Sequence, residues 1–276
     1  MRSDERLLDI VMRIALVVLL AMSLFPFYWM LMNSMKTARE IFQDPIGLPS
    51  SVSIANYLKA WTKADLATAL ANSAIVTGGS VIIVIVTATL AAYPLARMRF
   101  AGRSLFLAFF ISGLVVAPEV VLVPLFNMFS TFHLLNTLWS VMLANAAFAL
   151  PLSVFLFWQF FREIPHELQE SSRVDGCSHF TFFRLILLPL SKPVLGSVTI
   201  FVSLFTWNEY LFALTFLRDN ATKTIPARLQ VFFSQFQTDW SALFAALVMV
   251  TLPIIILYLF MQRSFVRGLT AGAVKG

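Results

Sequence analysis

The chain has 276 residues, of which 59% are hydrophobic and only 12% are charged, whereas an average soluble domain carries about 25% charged residues. This composition and the mean hydropathy of +0.83 exclude a disordered chain, a collagen-like chain and an ordinary water-soluble enzyme. The single cysteine, Cys177, excludes an internal disulfide framework and a multi-thiolate metal or iron–sulfur site. The net charge of +6 is compatible with nucleic-acid binding, but in a membrane protein it more often reflects orientation. We therefore expect the lipid bilayer, and no nucleic acid, as a partner.

Six apolar stretches are each long enough to cross a bilayer, which takes about 20 mostly apolar residues in a helix. They cover residues 10–32, 71–95, 105–129, 138–161, 193–216 and 241–261. The first is longer than the apolar part of a signal peptide and has no clear cleavage site after it, so we interpret it as an uncleaved anchor. In the second, Ala88, Ala92 and Ala96 form a small-residue face for close packing against this chain or a partner. The sequence thus predicts an all-α membrane protein with six transmembrane helices in a single domain of residues 1–276.

Prolines modify two of these stretches. Pro118 and Pro124 lie inside the third, where we expect a kink or local unwinding. The fifth apolar region already begins near residue 186 and contains Pro189 and Pro193. We expect its first part to lie at the membrane interface and the span itself to begin at about residue 193.

The distribution of Lys and Arg predicts the orientation. Of the 20 Lys and Arg residues, 13 lie on the side of the membrane that holds both termini and the connections after the second and fourth apolar stretches. The other 7 lie on the opposite side. The short connection 97–103 alone carries three arginines, Arg97, Arg99 and Arg103. Because cytoplasmic connections carry the excess of positive charge, both termini are expected in the cytoplasm.

The cytoplasmic connection between the fourth and fifth spans, residues 163–189, has helix signals of its own. Pro165 suits the first turn of a helix, and Glu167 and Glu170 fall in that helix's N-terminal half, where the macrodipole favours anions. Gly176 can end the helix by adopting a positive φ, and a second, phenylalanine-rich helix follows. A solvated loop is the alternative, but a capped segment of this length usually contacts something.

The same connection carries a recognisable motif. Residues 170–177 read Glu-Ser-Ser-Arg-Val-Asp-Gly-Cys, and residues 186–189 read Ile-Leu-Leu-Pro. This resembles the EAA loop of permease subunits of bacterial ABC importers, in which Glu-Ala-Ala is followed two residues later by Asp-Gly-Ala and then by Ile-x-Leu-Pro. Ser171, Ser172 and Cys177 stand where alanine is usual, and all three are small enough to keep close packing.

Two further segments resemble the carbohydrate-importing branch of that family, the maltose-type inner-membrane component. Residues 207–214, in the fifth stretch, read Trp-Asn-Glu-Tyr-Leu-Phe-Ala-Leu, and residues 265–276 read Phe-Val-Arg-Gly-Leu-Thr-Ala-Gly-Ala-Val-Lys-Gly. With the six-span layout, the likeness covers nearly the whole chain.

The resemblance implies a coupling helix between spans four and five that docks in a cleft of an ATPase subunit. The residues expected to couple to the ATPase are Glu167, Glu170, Ser171, Ser172, Asp175, Gly176 and Cys177. The C-terminal tail, with Gly268, Gly272 and Lys275, is implied as a second ATPase contact.

The resemblance also implies the partners: a second homologous permease, two ATPase subunits and an extracytoplasmic sugar-binding protein, at the bacterial plasma (inner) membrane. The chain has no P-loop, because the only Gly-Gly pair, Gly78-Gly79, lacks a following Gly-Lys. We therefore expect no cofactor in this chain, with ATP and Mg²⁺ on the ATPase.

Two carboxylates lie within apolar stretches and are candidates for the substrate path. Charges at mid-membrane cost about 2.5–3.5 kcal/mol on insertion scales, so they usually face a cavity or a partner. Glu119 follows a proline, and Glu209 adjoins Trp207 and Asn208, a mixture of aromatic and hydrogen-bonding groups that suits a sugar. The alternative is that both carboxylates lie near the outer interface and are hydrated.

Two other functional classes remain open on the residues alone. An ion-coupled secondary transporter would act without ATPase subunits, but it would favour paired intramembrane charges and inverted repeats, and neither is evident. A membrane-embedded enzyme would need a cluster of polar catalytic groups at one depth, which is also absent.

Overall fold

The computed structural model describes the backbone of residues 2–233 and 238–271, and the side chains of residues 8–233, 238–260 and 262. Its regular structure is helical, and within the described residues the one β-type pairing is an isolated bridge between Phe233 and Thr238. The predicted all-α class is confirmed. The described residues pack as two compact units, one from the first 67 residues with Leu229–Leu252, the other from Thr68–Arg228 with the chain from Pro253.

Among the described residues, four helices are long and apolar enough to cross a membrane. They are α1 (Arg2–Ser34), α4 (Leu66–Arg97), α7 (Leu138–Glu163) and α14 (Trp240–Ala271). Each contains one proline, yet none is broken by it. Two bent helix pairs have the same apolar composition, so the described residues offer up to six spans if each pair counts as one.

The first bent pair corresponds to the predicted third stretch. Helix α5 (Arg103–Ser112) continues into a 3₁₀ turn (Gly113–Val115), and α6 (Pro118–Thr131) follows at an angle of 102°. The cause is local: the residue before a proline is disfavoured in the α conformation, and Ala117 is extended at φ −75° and ψ 135°. A sharp break therefore replaces the single kinked span of residues 105–129, and Pro124 stays inside α6.

The second bent pair contains the predicted interfacial segment and the start of the fifth span. Helix α9 (His179–Phe182), a π-helical turn (Phe183–Leu187) and α10 (Leu188–Leu190) run together, and α11 (Lys192–Trp207) leaves them at 75°. The span predicted as 193–216 is not one helix, since residues 208–210 separate α11 from α12 (Leu211–Phe216).

In the larger unit, α4, α7 and α11 surround a core that includes Phe157, Phe161 and Val198. Close approach depends on small residues. A Cβ atom on Gly113 would lie 2.9 Å from Cγ of Pro151, which explains how the 3₁₀ turn after α5 packs against α7. The small face predicted at Ala88, Ala92 and Ala96 is buried in this core, so it packs against this chain. Short helix α13 (Ile225–Arg228) follows in the same unit.

The smaller unit adds two short helices, α2 (Ala38–Gln43) and α3 (Ala55–Lys63), and a 3₁₀ turn (Leu229–Phe232). Thr37 and Glu40 form a capping box at the start of α2. Hydrogen bonds from Ser50 and Thr37 lower the pKa of Glu40 to about 2, so this carboxylate stays ionised at lower pH than an ordinary glutamate does.

An ion-pair cluster ties α3 to the start of α14. Lys59 and Lys63 place their Nζ atoms 2.7 Å and 3.2 Å from the same carboxylate oxygen of Asp239. Partial burial alone would raise the pKa of Asp239, but the two lysines outweigh it and the pKa is lowered. The shared carboxylate therefore stays charged and holds both lysines on one side of α3.

Candidate coupling hairpin and substrate path

The chain turns sharply after α7. Ile164 is extended (φ −67°, ψ 130°), as expected for a residue before proline, and Pro165 is extended too (φ −54°, ψ 139°). Helix α8 (His166–Val174) begins at the next residue. Pro165 is thus the N-cap of α8, one position earlier than the predicted first turn, and Glu167 lies in that turn.

Helix α8 ends in a glycine cap. The amide of Cys177 donates to the carbonyl of Ser172 at 2.9 Å, and the amide of Gly176 donates to that of Arg173 at 3.0 Å. This pair of bonds is a Schellman motif, which requires a left-handed residue at the C′ position. Gly176 fills it with φ +79°, so the predicted positive φ is confirmed.

After the cap, Ser178 starts α9, because its side chain accepts a hydrogen bond from the Thr181 amide at 3.1 Å. Helices α8 and α9 with their connecting turn, residues 166–182, are called the α8–α9 hairpin below. Caps at the Gly176 and Ser178 ends fix the turn from both sides.

The structure brings the predicted coupling residues together on this hairpin. Its exposed members are Glu167, Glu170, Ser171, Asp175 and Gly176, whereas Cys177 is half-buried and Ser172 is buried. Two apolar side chains share the exposed surface, Leu168 and above all Val174, which is 89% exposed. The outer surface of α8 is therefore acidic and apolar, a combination that suits a protein partner better than water.

A buried arginine holds the base of the hairpin, and the sequence alone indicated only its positive charge. Arg97, the last residue of α4, donates to the carbonyl oxygen of Ile164, and its Nη1 atom lies 3.3 Å from Nδ1 of His166. Nearby, the indole of Trp158 donates to the carbonyl of Leu95 at 3.1 Å. Helix α4 is thus hydrogen-bonded to the corner between α7 and α8.

His179 makes a second connection from the hairpin to α4. Its Nε2 atom lies 3.2 Å from Nη2 of Arg173, which can only donate. Nδ1 must then carry the proton, which it donates to the hydroxyl oxygen of Tyr93 at 3.2 Å. That hydroxyl in turn donates to the backbone carbonyl of His179 at 3.2 Å. The neutral Nδ1–H tautomer of His179 satisfies all three contacts.

The candidate path residues lie at two breaks in apolar helices. Both carboxylate oxygens of Glu209 accept backbone hydrogen bonds at the start of α12, from Phe212 at 2.5 Å and from Ala213 at 3.1 Å. Asn208, beside it, is exposed. Glu119 is exposed in the first turn of α6 and has no hydrogen bond to a residue that the structure describes. Within the part of the chain that the structure describes, no hydrogen bond joins Glu119 to Asn208 or Glu209.

The structure describes only one of the three residues predicted to make the C-terminal contact with the ATPase. Gly268 lies in α14, whereas Gly272 and Lys275 lie outside the described residues.

Comparisons with known proteins agree on one family. Residues 84–271 match the family described as binding-protein-dependent transport system inner membrane component. The probable ABC transporter permease protein YurM of Bacillus subtilis is 40% identical over 252 residues, 91% of this chain and 84% of the relative. The melibiose/raffinose/stachyose import permease protein MelC of the same organism is 36% identical over 91% of each chain.

A third relative and one solved structure complete the comparison. The diacetylchitobiose uptake system permease protein NgcG of Streptomyces coelicolor is 33% identical over 91% of this chain and 83% of its own. The fold matches a chain from a crystal structure of a bacterial ABC transporter involved in the import of the acidic polysaccharide alginate, with a TM-score of 0.80 at 21% identity, over 96% of this chain and 98% of that one. The chain therefore belongs to the family of inner membrane components of binding-protein-dependent transport systems, as a multi-pass permease subunit of an ATP-driven ABC importer.

Proposed function

We propose that this chain pairs with a second, homologous permease to form the translocation path for a sugar or oligosaccharide. An extracytoplasmic binding protein delivers the sugar, and two ATPase subunits, which hold ATP and Mg²⁺, drive the cycle. Support for a carbohydrate comes from the names of two relatives: MelC is named for melibiose, raffinose and stachyose, and NgcG for diacetylchitobiose. Family membership decides against the ion-coupled secondary transporter that the sequence had left open.

The observation that carries the proposal is the α8–α9 hairpin, which is exposed to solvent on one face and hydrogen-bonded to α4 at its base. Its exposed face presents Glu170 and Val174. Hydrogen bonds of Arg97 and His179 join its base to α4. A helix that is exposed on one side and fixed on the other can transmit a displacement without unfolding. Motion of an ATPase docked on this hairpin would thus move α4 and α7 as near-rigid bodies.

The orientation follows from charge. With each bent pair counted as one span, six spans put both termini on the side of the hairpin, and that side carries the excess of Lys and Arg. We propose that this side is cytoplasmic and that the C-terminal tail, with Gly268, Gly272 and Lys275, approaches the ATPase there.

For the substrate path we propose the break between α11 and α12. Non-helical backbone at membrane depth is tolerated where it lines a cavity, and exposed Asn208 beside Trp207 offers a sugar an amide and an aromatic ring. Glu209 already uses its carboxylate on two backbone amides. Its role is to hold the break open, and Glu119 marks the second break, between α5 and α6.

A charge reversal on the hairpin tests the coupling role. We expect Glu170→Lys to abolish uptake and to release the ATPase from the permease during purification. Glu170 is expected to pair with a basic group on the ATPase, and a lysine in its place would repel that group. The control is Glu163→Lys, the same reversal at an exposed residue at the end of α7, which should transport normally. Normal uptake and normal ATPase recovery with Glu170→Lys would refute the docking role.

A further inference from the structure

A cavity of about 600 Å³ lies between the end of α4 and the α8–α9 hairpin. Among the groups that line it are Arg97, Arg99 and Arg173, the imidazoles of His166 and His179, and one carboxylate, Glu170. Without counting the imidazoles, three positive charges face one negative charge. A concave surface with this balance attracts anions.

The deepest of these cations has no counter-ion among the residues that the structure describes. Arg97 is only 7% exposed, and its guanidinium contacts the carbonyl of Ile164 and the imidazole of His166, while its Nε atom is buried without a partner. No carboxylate of the described residues lies within 4 Å of it, Glu170 included. Buried charges in proteins are normally paired, since burying one alone costs several kcal/mol.

The position of the cavity indicates which kind of anion would suit it. Arg97 ends an apolar helix that is long enough to cross the membrane, and the end of such a helix is expected at the depth of the lipid headgroups. The chain then enters α5, where Leu105 and Phe109 are more than two-thirds exposed and offer apolar surface for acyl chains. At the first position of α5, Arg103 donates to the carbonyl oxygen of Ala96 at 3.5 Å, which adds one more cation beside the end of α4.

We propose that this cavity binds the phosphate of an anionic phospholipid, with Arg97 and Arg99 as its main ligands. Guanidinium groups pair with phosphate oxygens through two parallel hydrogen bonds, which suits a site of several arginines, and basic pockets at the cytoplasmic ends of membrane helices are suited to such headgroups. The assignment to the cytoplasmic leaflet rests on the orientation proposed above. The bound lipid would neutralise Arg97 and stabilise the contact between α4 and the base of the hairpin.

Lipid retention tests the proposal on the complete importer complex. The complex is placed in nanodiscs of phosphatidylcholine with phosphatidylglycerol, extracted into mild detergent, and the lipids that stay bound are quantified by mass spectrometry. We expect preferential retention of phosphatidylglycerol by the wild type, and roughly tenfold lower retention in Arg97→Gln and Arg99→Gln, since each removes a charge-assisted hydrogen bond. Arg184→Gln, the same change at an exposed residue outside the cavity, should retain the lipid as the wild type does.

The use of two variants distinguishes loss of a lipid ligand from misfolding of the protein. Arg97 also supports Ile164, so Arg97→Gln can weaken the fold, whereas Arg99 is exposed and its replacement should leave the thermal stability in phosphatidylcholine alone unchanged. Equal phosphatidylglycerol retention by Arg99→Gln and the wild type would overturn the proposal.

Two further results would overturn it in favour of another anion. Loss of bound phosphatidylglycerol on addition of inorganic phosphate, at constant ionic strength, would assign the cavity to a soluble phosphate. Release of the ATPase by Arg99→Gln in phosphatidylcholine alone would assign it to a carboxylate of that subunit. None of these readouts involves transport, so a failure of the proposed sugar import would leave the lipid site standing.

Discussion

At the scale of single residues, the hairpin shows what a sequence can and cannot reveal. Gly176 could be predicted because a glycine after a short polar helix has one common use, the left-handed C-cap. Arg97 could not be recognised as an anchor, because its role depends on the carbonyl of Ile164, 67 positions away in the chain. Sequence patterns report the charge of such a residue but not its burial or its partner.

Substitutions of Gly176 can show whether its positive φ or its lack of a side chain matters for function. A Cβ atom there would meet nothing within 4 Å, so a larger side chain fits, and only the positive φ opposes it. We expect Gly176→Ala to destabilise the hairpin by about 1–2 kcal/mol and to lower uptake. Asn is larger but tolerates left-handed backbone, so Gly176→Asn should transport nearly as well as the wild type.

The measurement is uptake of the sugar that the binding protein retains, with the amount of inserted permease checked by immunoblot. Equal loss of uptake in Gly176→Ala and Gly176→Asn would contradict the conformational account. It would mean that the glycine is needed for close approach of the ATPase.

At the scale of elements, hydropathy located the apolar segments but not their direction. Residues 105–129 have enough apolar residues for one span, but the extended Ala117 before Pro118 divides them into two helices at 102°. Proline at position 253 leaves α14 continuous. A proline therefore indicates a possible break, and the surrounding packing, such as Gly113 against Pro151, decides whether the chain turns.

The same reasoning applies to the break before α12 and gives a test of Glu209. Glutamine keeps one carbonyl oxygen but loses the negative charge that stabilises the helix start, so Glu209→Gln should lose about 1 kcal/mol or more of stability and transport more slowly. Asn208→Ala, in contrast, should raise the substrate concentration for half-maximal uptake with little effect on thermal stability.

The control for stability is Glu119→Gln, since Glu119 is exposed and has no described hydrogen bond. If Glu209→Gln changes the substrate preference while its thermal stability stays that of the wild type, Glu209 contacts the sugar directly and the capping role is wrong.

At the scale of the whole molecule, composition and one motif were enough to predict the class of protein. A membrane protein with 12% charged residues can belong to many families, and the Glu170–Gly176 string with its downstream Ile-x-Leu-Pro narrowed these to one, which the family match over residues 84–271 confirms. The identity of the sugar could not be predicted, because the path that we propose lies between two permeases, of which this chain would supply only one wall. The six-span topology and the position of the termini stay predictions.

The most direct test of the central claim is recovery of the assembled importer from native membranes. Tagged wild-type chain is purified in mild detergent, and the proteins that accompany it are identified by mass spectrometry and assayed for ATP hydrolysis. The account predicts a second permease and an ATPase in the purified complex, with hydrolysis stimulated by the sugar-loaded binding protein. Recovery of this chain alone, with uptake that persists when the cell's ATPase subunits are absent, would contradict it.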